Sequence, residues 1–152
     1  MKVIKAPNRL CWDRDEDGQS VFLAGSIEMG AAENWQDRVT EAVKDKKIVL
    51  LNPRRDDWDS SWVQKIDSLK FREQVKWELD AMETADMIAM YFDPKTKSPI
   101  SLLELGLFAK SEKLIVYCPE GFWRKGNVDI VCRRYGVRQC VSMEDFIYEI
   151  MN

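Results

Sequence analysis

Runs that are apolar at every position recur along this chain, each ended by a residue that breaks strands. Val21-Phe22-Leu23-Ala24 meets Gly25, Ile48-Val49-Leu50-Leu51 meets Asn52-Pro53, Met87 to Phe92 meets Asp93-Pro94, and Leu114-Ile115-Val116-Tyr117 meets Cys118-Pro119. A strand with one face in water alternates apolar and polar residues, so runs without alternation belong to strands covered on both faces, as in parallel sheets. The stretches between them carry a helical period. Trp35, Val39, Ala42 and Val43 share one face after a plausible Asn34 N-cap, and a longer helix is expected from about Phe71 to Ala85. A further helix runs through Leu102 to Ala109, another covers about Val128 to Tyr135, a short strand lies around Arg138–Val141, and a terminal helix spans Met143–Met151. Five βα units in one chain predict a single domain over residues 1–152. Its class is α/β: a doubly wound, five-stranded parallel sheet of the flavodoxin-like or Rossmann-like kind, with strand order 2-1-3-4-5 and helices on both faces.

In such sheets ligands bind outside the carboxyl ends of the strands. That rule gathers Gly25-Ser26-Ile27, Asn52-Pro53-Arg54-Arg55, the segment from Asp93 to Ser98, and Pro119-Glu120-Gly121-Phe122 into one crevice. From Leu102 to Ala109 every residue except Glu104 is apolar or glycine, which predicts a helix buried on most of its circumference with one carboxylate in its second turn. An ionised carboxylate is costly to bury without a partner, so Glu104 marks a candidate site. On the preceding helix Glu78 falls between Val75 and Met82 on an apolar stripe of Phe71, Val75, Met82 and Ala85, while Glu73, Asp80 and Glu83 point away. Two acids facing inward from consecutive helices suit glycosyl transfer, where one attacks the anomeric carbon and the other handles a proton. Ion pairs with Arg72, Arg54 or Arg55 are the purely structural alternative.

Composition narrows the chemistry. The chain has no histidine, which removes Ser-His-Asp and Cys-His machinery, HExxH zinc sites and histidine shuttles. Cys11, Cys118, Cys132 and Cys140 show no CxxC spacing, and an Ile130-Val131-Cys132 setting speaks for packed, reduced thiols; neither a metal nor an organic cofactor is expected. With 23 basic and 26 acidic residues the net charge is -3, so no nucleic-acid polymer is an expected partner, although a small anion needs only a local cluster. No apolar run reaches the roughly 20 residues of a membrane span, and Met1-Lys2-Val3-Ile4-Lys5 leads into no signal-peptide core, so the expected location is cytoplasmic, away from membranes. The polar, tryptophan-containing stretch between Arg54 and Lys70 reads as a long functional loop. Within it Trp58 and Trp62 either stack on a base or anchor the loop, and Arg54 and Arg55 either meet a 5′-phosphate or pair with Asp56, Asp57 or Glu78.

Several of these residues together resemble the nucleoside 2-deoxyribosyltransferase family, and its nucleoside 2-deoxyribosyltransferase-like branch in particular. The resemblance rests on Phe22-Leu23-Ala24-Gly25-Ser26, the Trp77-Glu78-Leu79 helix ending in Ala85-Asp86, Pro99-Ile100-Ser101-Leu102-Leu103-Glu104-Leu105-Gly106, and the stretches Phe71–Gln74 and Gly121–Val128. It covers about Val21 to Val137. It implies that Glu104 is a nucleophile that attacks C1′ of a 2′-deoxynucleoside and holds the sugar as an ester until another nucleobase or water takes it. Glu78 aligns with the family's acid on the preceding helix, and Gly25 and Ser26 form the first wall of the pocket. Phe22 stands near a family tyrosine, and Ser98 stands where classical members carry an acid; Asp93 is the nearby carboxylate that could replace it. The resemblance further implies a small-molecule nucleoside or nucleotide and a free nucleobase as partners, and a homo-oligomer with shared active sites, with Asn127 as the candidate donated contact. Hydrolysis of 2′-deoxynucleoside 5′-monophosphates and a nucleotide-binding module without turnover are the alternative functions.

Overall fold

The computed structural model describes residues 1–28 and 32–152. Six strands form one parallel sheet: β1 (Lys2–Lys5), β2 (Gln19–Gly25), β3 (Ile48–Asn52), β4 (Met87–Tyr91), β5 (Leu114–Tyr117) and β6 (Arg138–Cys140). Their spatial order is β1-β3-β2-β4-β5-β6. The last five reproduce the expected 2-1-3-4-5 arrangement. The sixth, β1, was not expected from the sequence. It has four residues with lysine at both ends, and it pairs on one side only, Val3 with Leu50 and Ile4 with Leu51. An edge strand of this kind carries charge and little apolar content, so it lacks the continuous apolar signature of its neighbours.

The helices are α1 (Arg14–Asp17), α2 (Trp35–Ala42), α3 (Leu69–Thr84), α4 (Pro99–Phe108), α5 (Lys125–Tyr135) and α6 (Met143–Met151). β2 shows why the strands are apolar throughout. Phe22 and Ala24 join a core with Trp77, Ala81, Met82, Leu105 and Val128 from α3, α4 and α5, whereas Val21 and Leu23 join one with Trp35, Val39, Phe146 and Ile150 from α2 and α6. Successive side chains point to opposite faces, and both faces are covered. Cys118, Cys132 and Cys140 are buried free thiols whose burial pushes each to about 12, while Cys11 is exposed.

Two helices differ from expectation. The buried stripe of α3 is Gln74, Trp77, Ala81 and Met82, so Phe71 and Val75 are only half-buried beside it. More consequential is α4, which is not buried on most of its circumference. Ser101, Glu104 and Leu105 face inward, but Ile100, Leu103 and Leu107 are each about 60% exposed and form an outward apolar stripe at helical spacing. An apolar residue facing the core and one facing solvent give the same period, and the sequence pattern does not separate them.

Candidate active site

The sheet changes direction between β2 and β4, which are adjacent in space while their connections leave to opposite sides. Gly25 ends β2 at φ +128, pressed so close to β4 that a Cβ would lie 2.1 Å from the Tyr91 carbonyl oxygen. Only glycine fits there. That close approach lets the Ser26 N–H donate to the Tyr91 carbonyl at 3.0 Å, which starts a tightly bonded corner. Ser26, 1% exposed, has its Oγ 2.9 Å from Thr96 Oγ1 and 2.6 Å from Ser98 Oγ, and these two oxygens lie 2.7 Å apart. The Asp93 N–H donates to the Ser26 hydroxyl, and the Thr96 hydroxyl lies 2.9 Å from the Asp93 carbonyl. Glu28 completes the corner by accepting the Lys97 and Ser98 N–H groups, which holds Ser98 in the left-handed conformation at the start of α4.

The corner aims α4, and α4 carries Glu104. This residue is 8% exposed, and its carboxyl oxygens accept no hydrogen bond among the described residues, yet they are not sealed from solvent. Burial, and after it the charge of Glu78, pushes Glu104 up to about 8. Glu78, half-buried on α3, is itself pushed up by burial, with an opposing hydrogen bond from Gln74. Both acids expected from the sequence face inward, and the charge of Glu78 bears on Glu104. No cation neutralises them among the described residues. Among those residues, too, no three His, Cys, Asp or Glu side chains gather as metal ligands, and no helix is long and apolar enough to cross a membrane.

The remaining expected site residues divide into those facing the crevice and those bound up in support. Asn52, 2% exposed at the end of β3, accepts the Arg54 N–H. The Arg54 side chain has no ion pair among the described residues, and its Nε is buried without a partner. Arg55 is taken up structurally: its guanidinium meets both Asp57 carboxylate oxygens at 2.9 and 3.0 Å, lies 3.7 Å from Glu73, and stacks over the Trp62 ring. Trp58 packs on Trp62 at 5.0 Å between centroids, and Lys70 lies over Trp62 as well, so this pair anchors the loop. Asp93 is 4% exposed and accepts the Glu33 and Lys95 N–H groups, which commits its carboxylate to holding the corner. Asn127 is exposed on α5, where it lines a groove of about 320 Å³ with Leu102, Leu105, Gly106 and Arg124; Glu104 does not line that groove.

Sequence reasoning passed over Gln74, Thr96 and Glu28. Gln74 could have been found as the one polar residue on the α3 stripe four positions before Glu78, but Thr96 and Glu28 act through backbone turns that no spacing announces.

Comparison with known proteins agrees with this architecture. No curated protein matches the chain. Among solved structures, a crystal structure of a conserved protein from Enterococcus faecalis V583 is 15% identical, covers 87% of this chain and 96% of its own, and superposes with a TM-score of 0.61, a likeness of fold. The profile of the family described as nucleoside 2-deoxyribosyltransferase like matches residues 18–122, from the start of β2 past Glu104 to the turn after β5. The chain belongs to the nucleoside 2-deoxyribosyltransferase-like family.

Proposed function

We propose that the protein cleaves the N-glycosidic bond of a 2′-deoxyribonucleoside through a 2-deoxyribosyl ester on Glu104 and passes the sugar to another nucleobase. The observation that carries this reading is the pair of inward carboxyls, Glu78 and Glu104, at the carboxyl edge of the sheet with no cation to neutralise them among the described residues. A structural ion pair would bring its own counterion; this pair leaves its charge for a reacting group. In the first half-reaction the C1′–N bond breaks with its electrons going to the base, and a Glu104 oxygen bonds to C1′. The departing base takes up the proton that the carboxyl pair held. The second half-reaction runs the same steps backwards with a new base. Loss of the 2′-hydroxyl from the substrate makes the oxocarbenium-like transition state easier to reach, which fits a site with few charged groups.

A second reading is favoured by Arg54. Its guanidinium, on the loop after β3 and without an ion pair among the described residues, offers a bidentate fork to a 5′-phosphate, and water would then take the sugar in place of a base. In either reading the outward stripe of Ile100, Leu103 and Leu107 suits a second copy of the chain, which would bring Asn127 to a neighbour's site.

The deciding experiment is chromatography of the protein incubated with a deoxynucleoside or its 5′-monophosphate, with and without a second free base, beside Glu104→Ala and Arg54→Met. The expected result is an exchanged deoxynucleoside that Glu104→Ala does not form, with activity lowered by at least about 10³-fold. Free base from monophosphates alone, lost in Arg54→Met, would move the hydrolase reading ahead. Binding without base release would leave a nucleotide-binding module.

A further inference from the structure

The Gln74 side chain is 5% exposed, and its amide nitrogen donates twice, to Glu78 Oε1 at 2.8 Å and to the Pro53 carbonyl at 2.9 Å. Both amide hydrogens are thereby used, and the orientation of the amide is set, because turning it over would aim its oxygen at two acceptors. Glu78 thus has a fixed donor behind it, tied to the β3–α3 loop, whereas Glu104 has none among the described residues and is more deeply buried. A carboxylate that accepts a hydrogen bond keeps its charge more readily than a buried one that accepts none. The geometry points to Gln74 as a positioning residue that makes Glu78 the ionised member of the pair and leaves the pair's proton on Glu104.

The inference rests on the reading of Glu78 and Glu104 as one reacting pair, and it accounts for a proton that the proposed reaction needs. Ser98 offers no acid and Asp93 is engaged by backbone N–H groups, so the proton that balances departure of the base is the one the free protein holds on Glu104, whose O–H bond breaks as the base takes it and leaves the carboxylate that bonds to C1′. Among the described residues no other charged group shifts either carboxyl: Glu104 responds only to burial and Glu78, and Glu78 to burial and Gln74. Arg54, one residue beyond Pro53, pairs with neither.

The test is a pH titration of the side-chain carboxyls by carbon-detected NMR, with Glu78→Gln and Glu104→Gln to assign the two signals. In the unaltered protein Glu78 is expected to titrate at the lower pH. In Gln74→Met the Glu78 midpoint is expected to rise by about one pH unit towards that of Glu104, the worth of one hydrogen bond to a charged group. Should Gln74→Met not fold, Gln74→Leu carries the same test, because an apolar side chain there cannot donate and the Glu78 midpoint should rise. Glu104 titrating below Glu78 in the unaltered protein, or a Glu78 midpoint that stays put in a folded variant, would overturn the assignment. The titration needs no turnover, so a protein that releases no base yet titrates as expected would sink the proposed reaction and leave the role of Gln74 standing.

Discussion

Glu104 gains nothing for stability from being where it is. A carboxyl held near 8 in the folded protein against an ordinary value of 4.5 retains a proton that the unfolded chain has already released, so stability declines as pH rises through that window. Glu104→Gln removes the titration. The gap in melting temperature between the variant and the unaltered protein should therefore widen steadily in the variant's favour between pH 5 and pH 8, reaching an advantage of order 3 kcal/mol. Calorimetry across that range checks it, and a gap independent of pH would mean that Glu104 carries no shifted proton. The lone acid among apolar residues was legible in the sequence, because burial of a charge breaks the pattern that everything around it obeys. Gln74 was legible only as a polar residue four positions before Glu78; its second bond, to the Pro53 carbonyl 21 positions away in the chain, was not.

At the scale of elements, the β2–α2 and β4–α4 turns work as one corner. Three hydroxyls satisfy one another and the Asp93 backbone in a space where Ser26, Thr96 and Ser98 are each at most 5% exposed. Ser26→Ala leaves the Asp93 N–H and two buried hydroxyls short of a partner. Urea denaturation should show a loss of about 1–3 kcal/mol, and because the corner aims α4, base release should fall further than the fraction unfolded explains. A stability loss with unchanged turnover of the folded fraction would separate the corner from the site. The central strands were readable because a strand buried on both faces has no alternative pattern. β1 was not, because its four residues differ from a polar leader only through pairing with β3. The tryptophan loop lies between these cases: its length announced importance, but only the contacts of Arg55 and Lys70 with Trp62 identify the ring as an anchor.

For the whole molecule, α4 presents a carboxyl to the interior and an apolar stripe to the outside. Burying that stripe against a second copy removes apolar surface from water at about 25 cal/mol per Å². Leu103→Glu combined with Leu107→Glu should yield a folded monomer with little or no base release, measured by light scattering and circular dichroism beside the activity assay. A monomeric unaltered protein would remove the idea of shared sites. Here sequence pattern misled for a physical reason. The apolar residues of α4 point both into the core and outward, and periodicity reports the shared helical period without reporting which of the two sides a residue faces.

The distribution of thiols has a practical side. Three are shut in the core with their protons held fast, and Cys11 alone is open to solvent, so a maleimide dye at neutral pH will mark one position per chain. The protein thus carries its own single attachment point, from which copies can be counted in a single-molecule experiment without altering one residue of the sequence.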